Sequence, residues 1–315
     1  MRDLQWTEKY RPVTAEGLSL PADVRGLLGG LLQGNGSLPN LLLYGPPGSG
    51  KTSLALILSR GLTSRENTLE LNASSDREIS VIRGKLKQFA MTRAHSGEMK
   101  VVIMDECEYL TVDAQHCLRR ILEDTQRNTR FIFITNYVNR VIDPIKSRLV
   151  AVAVPAASKE ECLRVLQDIK EKEGLGLAVK DLEYIIEVSG GDMRRAITLL
   201  QTVGMARVET GSYRALIREL AGVVPSEMVD HAFQVRNVKD IIAVTEQLER
   251  SGYSALSLVQ AFAQRALLLP EKRREVLELF QSLAGLEENI IRGGFDWIQI
   301  AAALAQVAQM NAALL

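Results

Sequence analysis

Three clusters of residues in this sequence have the types and spacing to act on a nucleoside triphosphate. The first is residues 44–53, YGPPGSGKTS, in which Gly45, Gly50, Lys51 and Thr52 meet the pattern G-x-x-x-x-G-K-[ST]. It lies between the apolar NLLL and the helix-like LALILSR, the strand-to-helix context that phosphate binding requires. Glycines such as Gly45, Gly48 and Gly50 let backbone N–H groups turn inward around phosphates, with Pro46, Pro47, Ser49 and Ser53 completing the loop. Lys51 suits the β/γ oxygens, Thr52 suits a Mg²⁺, and the N-terminus of the following helix adds its dipole. A chance glycine-rich turn would satisfy the pattern but not its flanks. The second cluster is VVIMDECEYL, a four-residue apolar strand ending in Asp105 and Glu106. Asp105 stands where a carboxylate can hold the Mg²⁺, and Glu106 is placed to polarise an attacking water. Alone, the pair could merely cap a helix; with the loop upstream, catalysis is the better reading. The third is FIFITNYV, whose strand ends in the polar Asn136. An amide at that edge can orient the same water, although a turn asparagine is the simpler alternative.

These residues need a scaffold that brings three strand ends together. Residues 41–44, 69–72, 101–105, 131–136 and 150–154 read as strands, and 53–60, 79–91 and 112–124 have helical period. Apolar strands separated by helices predict an α/β domain with a parallel sheet covered on both faces. Ser75 and Glu78 form a capping box ahead of the second of these helices, and Ser158 and Glu161 form another after Pro155. Beyond Pro155 nearly every segment has helical period. A further break near AGVVPSE divides the chain into an α/β domain (1–156), a small helical domain (157–222) and an all-helical C-terminal domain (223–315). In the last, Val276, Leu279, Phe280 and Leu283 form one apolar stripe. The alanine-rich stretch 300–315 is interrupted by Gln306, Gln309 and Asn311 and reads as a packed helix, not a membrane span.

Bulk properties narrow the remaining classes. Lys plus Arg (38) equal Asp plus Glu (38), so any contact with nucleic acid must use a local basic face. Residues 1–12 are charged and carry no apolar core, so no secretory signal is expected. Cys107, Cys117 and Cys162 match neither a zinc spacing nor a disulfide framework, which points to a reducing compartment.

Six segments, LQWTEKYRP, LPNLLLYGPPGSGKT, LELNASSDREI, VVIMDECEYLTVDAQHCLRRILED, NTRFIFITNYVNRVIDPIKSRL and VSGGDMRRAITLLQ, resemble in order the signature boxes of the small subunits of replication factor C. That family is the AAA+ clamp loader that places a sliding clamp on primed DNA. The likeness spans about residues 4–225, and TNYVNRVIDP and AGVVPSEMVDHAF are most like the type called the fourth subunit in animals. The resemblance implies an AAA+ phosphate-loop domain, a helical lid and a helical collar. It implies an ATPase with ATP and Mg²⁺, working in a hetero-pentamer of replication factor C subunits with the clamp PCNA and primer-template DNA. The place of action would be the nucleus, or the cytoplasm if the source is archaeal, with no membrane partner. It puts Tyr10, Arg11 and Pro12 near the adenine and makes Arg194 the lid arginine that reaches the γ-phosphate. It makes Arg148 an arginine finger that completes a neighbour's site. Arg83 and Lys87, four apart on one helix, would track DNA phosphates, and Gln115 and Arg119 would couple the clamp contact to Glu106. The chain departs from the family at Cys107 and Glu108, where Ala and Asp are usual, at Leu149 in place of Cys, and at Glu78 in place of Gly. A subunit that binds ATP without hydrolysing it, or another DNA-remodelling AAA+ ATPase such as a Holliday-junction helicase, is the alternative. The intact catalytic set argues against the former, and the absence of a winged-helix signal argues against the latter.

Overall fold

The computed structural model describes residues 5–18, 24–26, 29–30, 38–75, 79–92, 99–206, 213–269 and 274–313 of the chain. Five strands, β1 (Leu41–Tyr44), β2 (Thr68–Asn72), β3 (Lys100–Asp105), β4 (Thr129–Thr135) and β5 (Val150–Ala153), form one sheet in the order β2-β3-β4-β1-β5. Every pairing is parallel, with Leu41 opposite Ile132 and Val150, and Met104 opposite Phe133. Parallel strands need crossovers, which α1 (Trp6–Lys9) precedes and which α2 (Lys51–Leu62), α3 (Ile79–Met91), α4 (Val112–Asp124) and the single turn α5 (Asp143–Lys146) help supply.

Strand periodicity sorts the core into two layers. Leu41, Leu43, Ile132 and Ile134 face α2 through Leu54 and Leu58. Leu42, Met104, Phe131 and Phe133 face the other way, against Leu86 of α3 and Leu118 and Leu122 of α4. Burying each such side chain contributes roughly 1.5–3 kcal/mol, so the sheet is rigid where its strand ends must hold a site. The buried Lys100 ties α3 to the sheet edge. Its ammonium donates to the carbonyls of Phe89 and Thr92 and to Thr92 Oγ1, complementing the negative end of the helix.

After β5 the chain is helical, with no strand among the described residues. Helices α6 (Lys159–Lys172), α7 (Val179–Ser189) and α8 (Met193–Met205) follow. The capping box before α6 forms as expected: Glu161 N–H donates to Ser158 Oγ at 3.2 Å, and Ser158 N–H to Glu161 Oε2 at 2.9 Å. In the other expected box, Glu78 lies outside the described residues, and Ser75 Oγ donates to the Asn72 carbonyl.

The chain divides into two compact units, residues 1–209 and 210–315. The second holds α9 (Tyr213–Leu220), α10 (Ser226–Ala232), α11 (Val238–Arg250), α12 (Ala255–Leu267), α13 (Arg274–Ile291) and α14 (Asp296–Ala313). By this division α9, which the sequence reading groups with the lid, goes with the C-terminal helices. Leu279 and Leu283 of the α13 stripe are buried, and Val276 and Phe280 pack against them. Ile300, Ala303, Leu304 and Val307 of α14 complete that core. No helix among the described residues is long and apolar enough to cross a membrane.

Candidate functional site

The C-terminal ends of β3, β4 and β1 lie side by side, because Met104 pairs with Phe133 and Tyr44 with Thr135. Ligands of parallel α/β sheets bind at such an edge. The loop after β1 runs from Gly45 to Gly50 and enters α2 at Lys51. Two glycines are required by contact as well as by conformation. A Cβ on Gly45 would lie 2.0 Å from the Val154 carbonyl oxygen, and one on Gly48 (φ 70°) would lie 2.0 Å from Asp192 Oδ1. Any side chain at either place would push apart the loop, the end of β5 and the start of α8.

Lys51 is buried, and its ammonium donates to the carbonyls of Gly45 (3.0 Å) and Pro46 (2.7 Å), with Ser49 Oγ at 3.4 Å. Burial lowers its pKa from the ordinary lysine value, against the opposing pull of the Asp105 and Glu108 carboxylates. A desolvated cation beside carboxylates is an effective partner for phosphate oxygens, since little water must be stripped from it.

The structure brings together the two residues expected to hold Mg²⁺. Thr52 Oγ1 donates to Asp105 Oδ2 at 2.8 Å, and Asp105 Oδ1 accepts the N–H of Glu106 at 2.8 Å. One hydroxyl and one carboxylate are hard oxygen donors, and Mg²⁺ takes few protein ligands when phosphates supply the rest. No larger cluster of metal-ligating side chains occurs among the described residues. The donor set therefore fits the ion.

Glu106 is the one non-glycine with positive φ (54°) among the described residues. Such a backbone costs about 1–3 kcal/mol and is retained where surrounding structure enforces it. Its carboxylate engages no described residue. Asn136 follows β4 directly and is exposed, with its backbone N–H and Nδ2 both donating to Glu108 Oε1, at 3.1 and 3.2 Å.

The lid meets this site at the N-terminus of α8. Asp192 caps that helix, accepting the N–H groups of Arg194 and Arg195, and abuts the phosphate loop at Gly48. The exposed Arg194 is close enough for its charge to act on Lys51.

Tyr10, Arg11 and Pro12 belong to a segment that joins lid and sheet. Trp6 N–H donates to Gln201 Oε1 of α8 at 3.0 Å, and the Tyr10 hydroxyl donates to Glu173 Oε1 at 2.5 Å, beside Lys9 Nζ on the same oxygen. Arg11 pairs with Glu8 at 2.6 Å. Further along, Leu18 is buried against the phosphate loop, with Cδ2 3.1 Å from where a Cβ on Gly50 would stand. The hydroxyl of Tyr10 is thus spent on the lid.

Arg148 is not part of this gathering. It stands two residues before Val150, which pairs with Leu41 at the opposite end of β1. Four strand residues separate that edge from the loop, about 13 Å. Its guanidinium is held by Glu123 Oε1 (2.6 Å) and the Pro144 carbonyl (2.7 Å), and it lines a cavity of about 360 Å³ with Leu38, Asn40, Leu122 and Arg130.

Gln115 and Arg119, both on α4, differ in depth. Gln115 is 2% exposed and is consumed internally. Its Nε2 donates to the carbonyls of Leu110 (3.3 Å) and Arg140 (3.0 Å), and its Oε1 accepts the Ile142 N–H (2.8 Å). It therefore ties the segment after Glu106 to the segment that leads into α5 and Arg148. Arg119 is half-buried and pairs with Glu123 at 3.3 Å, the same oxygen that takes Arg148. Lys87 is exposed on α3; the Arg83 side chain lies outside the described residues. Sequence reasoning did not find Asp192, Glu173 or Glu123 as partners in this arrangement. Only Asp192 carried a local signal, as an acidic residue directly before a helical pattern.

Residues 41–154 match the ATPase family associated with various cellular activities (AAA). The chain is 36% identical over 308 residues to Replication factor C small subunit 1 of Pyrobaculum arsenaticum, covering 95% of this chain and 93% of that protein. It is 34% identical to the Replication factor C small subunit of Archaeoglobus fulgidus, over 97% of both. It is 33% identical to human Replication factor C subunit 4, over 98% of this chain and 89% of that protein. Among solved structures, the Thermotoga maritima RuvB Holliday junction branch migration motor superposes with a TM-score of 0.55 at 19% identity, covering 76% of this chain and 85% of that one. At that identity the likeness is one of fold. The chain belongs to the replication factor C small-subunit family of AAA ATPases.

Proposed function

We propose that the chain is an ATP-hydrolysing subunit of a hetero-pentameric clamp loader, which opens the ring-shaped clamp PCNA and places it on primer-template DNA for replication and repair. Such work is done in the nucleus of a eukaryote or the cytoplasm of an archaeon. One observation carries the reading: Lys51, Thr52, Asp105, Glu106 and Asn136 gather at one edge of the sheet, while Arg148 stands at the other. A chain built this way binds its nucleotide with its own residues and offers a cation to another chain's nucleotide.

The roles follow from the chemistry of each group. Loop amides and Lys51 bind the phosphates, while Thr52 and Asp105 hold Mg²⁺, which when bound neutralises charge on the β and γ oxygens. Glu106, whose carboxylate engages no described residue, accepts a proton from the attacking water. Asn136 orients that water, and Arg194 reaches the γ-phosphate from the lid. Tyr10, Arg11 and Pro12 flank the base. Arg148 stabilises charge developing in a neighbour's transition state. Arg83 and Lys87 follow the DNA backbone, and Gln115 with Arg119 relays the clamp contact to Glu106. The strut made by Gln115 supports that relay, because it already links the Glu106 segment to the approach to Arg148.

The native mass of the purified complex, together with its DNA-stimulated ATP turnover, tests this reading. A five-membered assembly of different subunits whose turnover rises with primed DNA is expected. A six-membered ring of identical chains would overturn it.

A further inference from the structure

The strand β3 delivers three acids within four residues, and Asp105 and Glu106 account for two of them. The third, Glu108, is only 6% exposed, although it sits one helical turn from the nucleotide edge. A buried carboxylate is costly unless its lone pairs are used. Glu108 Oε1 is used twice, by the backbone N–H and the Nδ2 of Asn136, whereas Oε2 is buried with no hydrogen-bond partner among the described residues. No other described group holds the side chain of Asn136. A carboxylate can only accept, so it forces the NH₂ end of the Asn136 amide toward itself and leaves the carbonyl end pointing elsewhere. With no acceptor oxygen at this place, the amide would be free to turn over.

We propose that Glu108 is a positioning residue for ATP hydrolysis, acting through Asn136 by fixing which end of that amide meets the nucleotide and its water. The inference rests on the assignment of Asn136 to the reaction. Glu108 itself touches neither nucleotide nor water. Its value lies in pre-orienting a group that must be correct when the transition state forms, and misplacement of such a group by an ångström can cost about 10²-fold in rate.

Steady-state ATP turnover of the assembled complex, with the other subunits' phosphate-loop lysines altered so that only this site fires, tests the proposal. Glu108→Leu removes both acceptors and is expected to lower kcat by about 10²-fold with KM for ATP little changed. Glu108→Gln is expected to stay within a few-fold of the parent. The fixed backbone N–H of Asn136 requires a carbonyl oxygen opposite it, and the new NH₂ falls where Oε2 makes no bond. In an Asn136→Ala background, Glu108→Leu should cost nothing further, since both changes act on one group. If the Leu variant does not bind ATP, Glu108→Ala takes its place in the same cycle. A Gln variant as slow as the Leu variant would mean that the charge itself acts, and would overturn the proposal. Losses that multiply in the double variant would do the same. A slow Asn136→Ala beside a normal Glu108→Leu would sink this inference and leave Asn136 standing, whereas a normal Asn136→Ala would remove the reading on which both depend.

Discussion

Lys51 and Glu106 divide the work at the residue scale, and their surroundings say how each should fail. Lys51 is the buried cation of the loop, so Lys51→Ala is expected to abolish ATP binding, read as loss of signal in a titration with a fluorescent ATP analogue. Glu106 has no described partner and sits at a strained backbone position, so Glu106→Gln changes one proton acceptor and nothing that holds the fold. Binding should survive while turnover falls by about 10²–10⁴-fold, the range for a lost general base. Parental turnover in the Glu106→Gln complex would remove that residue from the mechanism. The neighbouring Cys107 gives an independent check. Burial raises its thiol pKa, and Cys162 is raised in the same way, whereas Cys117 is half-exposed. Thiolates, not thiols, react. Brief alkylation of the native protein followed by peptide mapping should therefore mark Cys117 first and spare the other two.

At the scale of elements, the N-terminal segment ties the lid to the phosphate loop. Its contact at Glu173 is electrostatic: hydrogen bonds from Lys9 and Tyr10 hold that carboxyl below its ordinary value of 4.5. A carboxylate whose folded pKa is depressed contributes above the unfolded pKa and loses its contribution as pH falls through the folded one. The tie is therefore indifferent to pH across the neutral range and is lost in acid, when Glu173 is protonated, or in strong alkali, when Lys9 and Tyr10 lose their protons. Glu173→Ala should raise the apparent Kd for ATP several-fold at neutral pH with kcat little changed; an unchanged Kd would show that the segment is decoration. On α3, Arg83→Ala with Lys87→Ala should flatten the salt dependence of DNA affinity by about 0.9 in slope for each lost duplex phosphate contact, leaving basal ATPase activity unaltered. The long periodic segments were legible in sequence to the residue, as α3 and α4 show. Strands were legible only from their first apolar residue, because Lys100 and Thr129 begin β3 and β4 as buried polar groups that an apolar pattern passes over. The candidate catalytic groups could be read because their motifs are local. The groups that hold them, Glu108, Glu123, Glu173 and Asp192, could be named as partners only after folding, since their contacts cross from one element to another.

For the molecule as a whole, the decisive feature is the separation of Arg148 from the nucleotide edge of its own sheet. Its present partners, Glu123 and the Pro144 carbonyl, leave it partly exposed. A partly exposed ion pair is weak, because water competes for both charges. Under the proposed function the guanidinium can thus be given up to a neighbour's γ-phosphate at little cost, and Arg119, already on the same carboxylate oxygen, remains to neutralise Glu123. A finger acts on charge that develops in the transition state, whereas ground-state binding rests on Lys51 and the loop amides. Arg148→Ala should therefore leave this chain's ATP affinity unchanged while turnover of the assembled complex falls, by about 10³-fold or more at the site it serves. Mixing locates the defect: the Arg148→Ala chain is assembled with normal partners, and then with partners whose own phosphate-loop lysines are altered one at a time. The lost turnover should map to the adjacent subunit's nucleotide. If it maps instead to the nucleotide held by Lys51 of the same chain, the arginine acts within its own subunit and the inter-subunit mechanism fails.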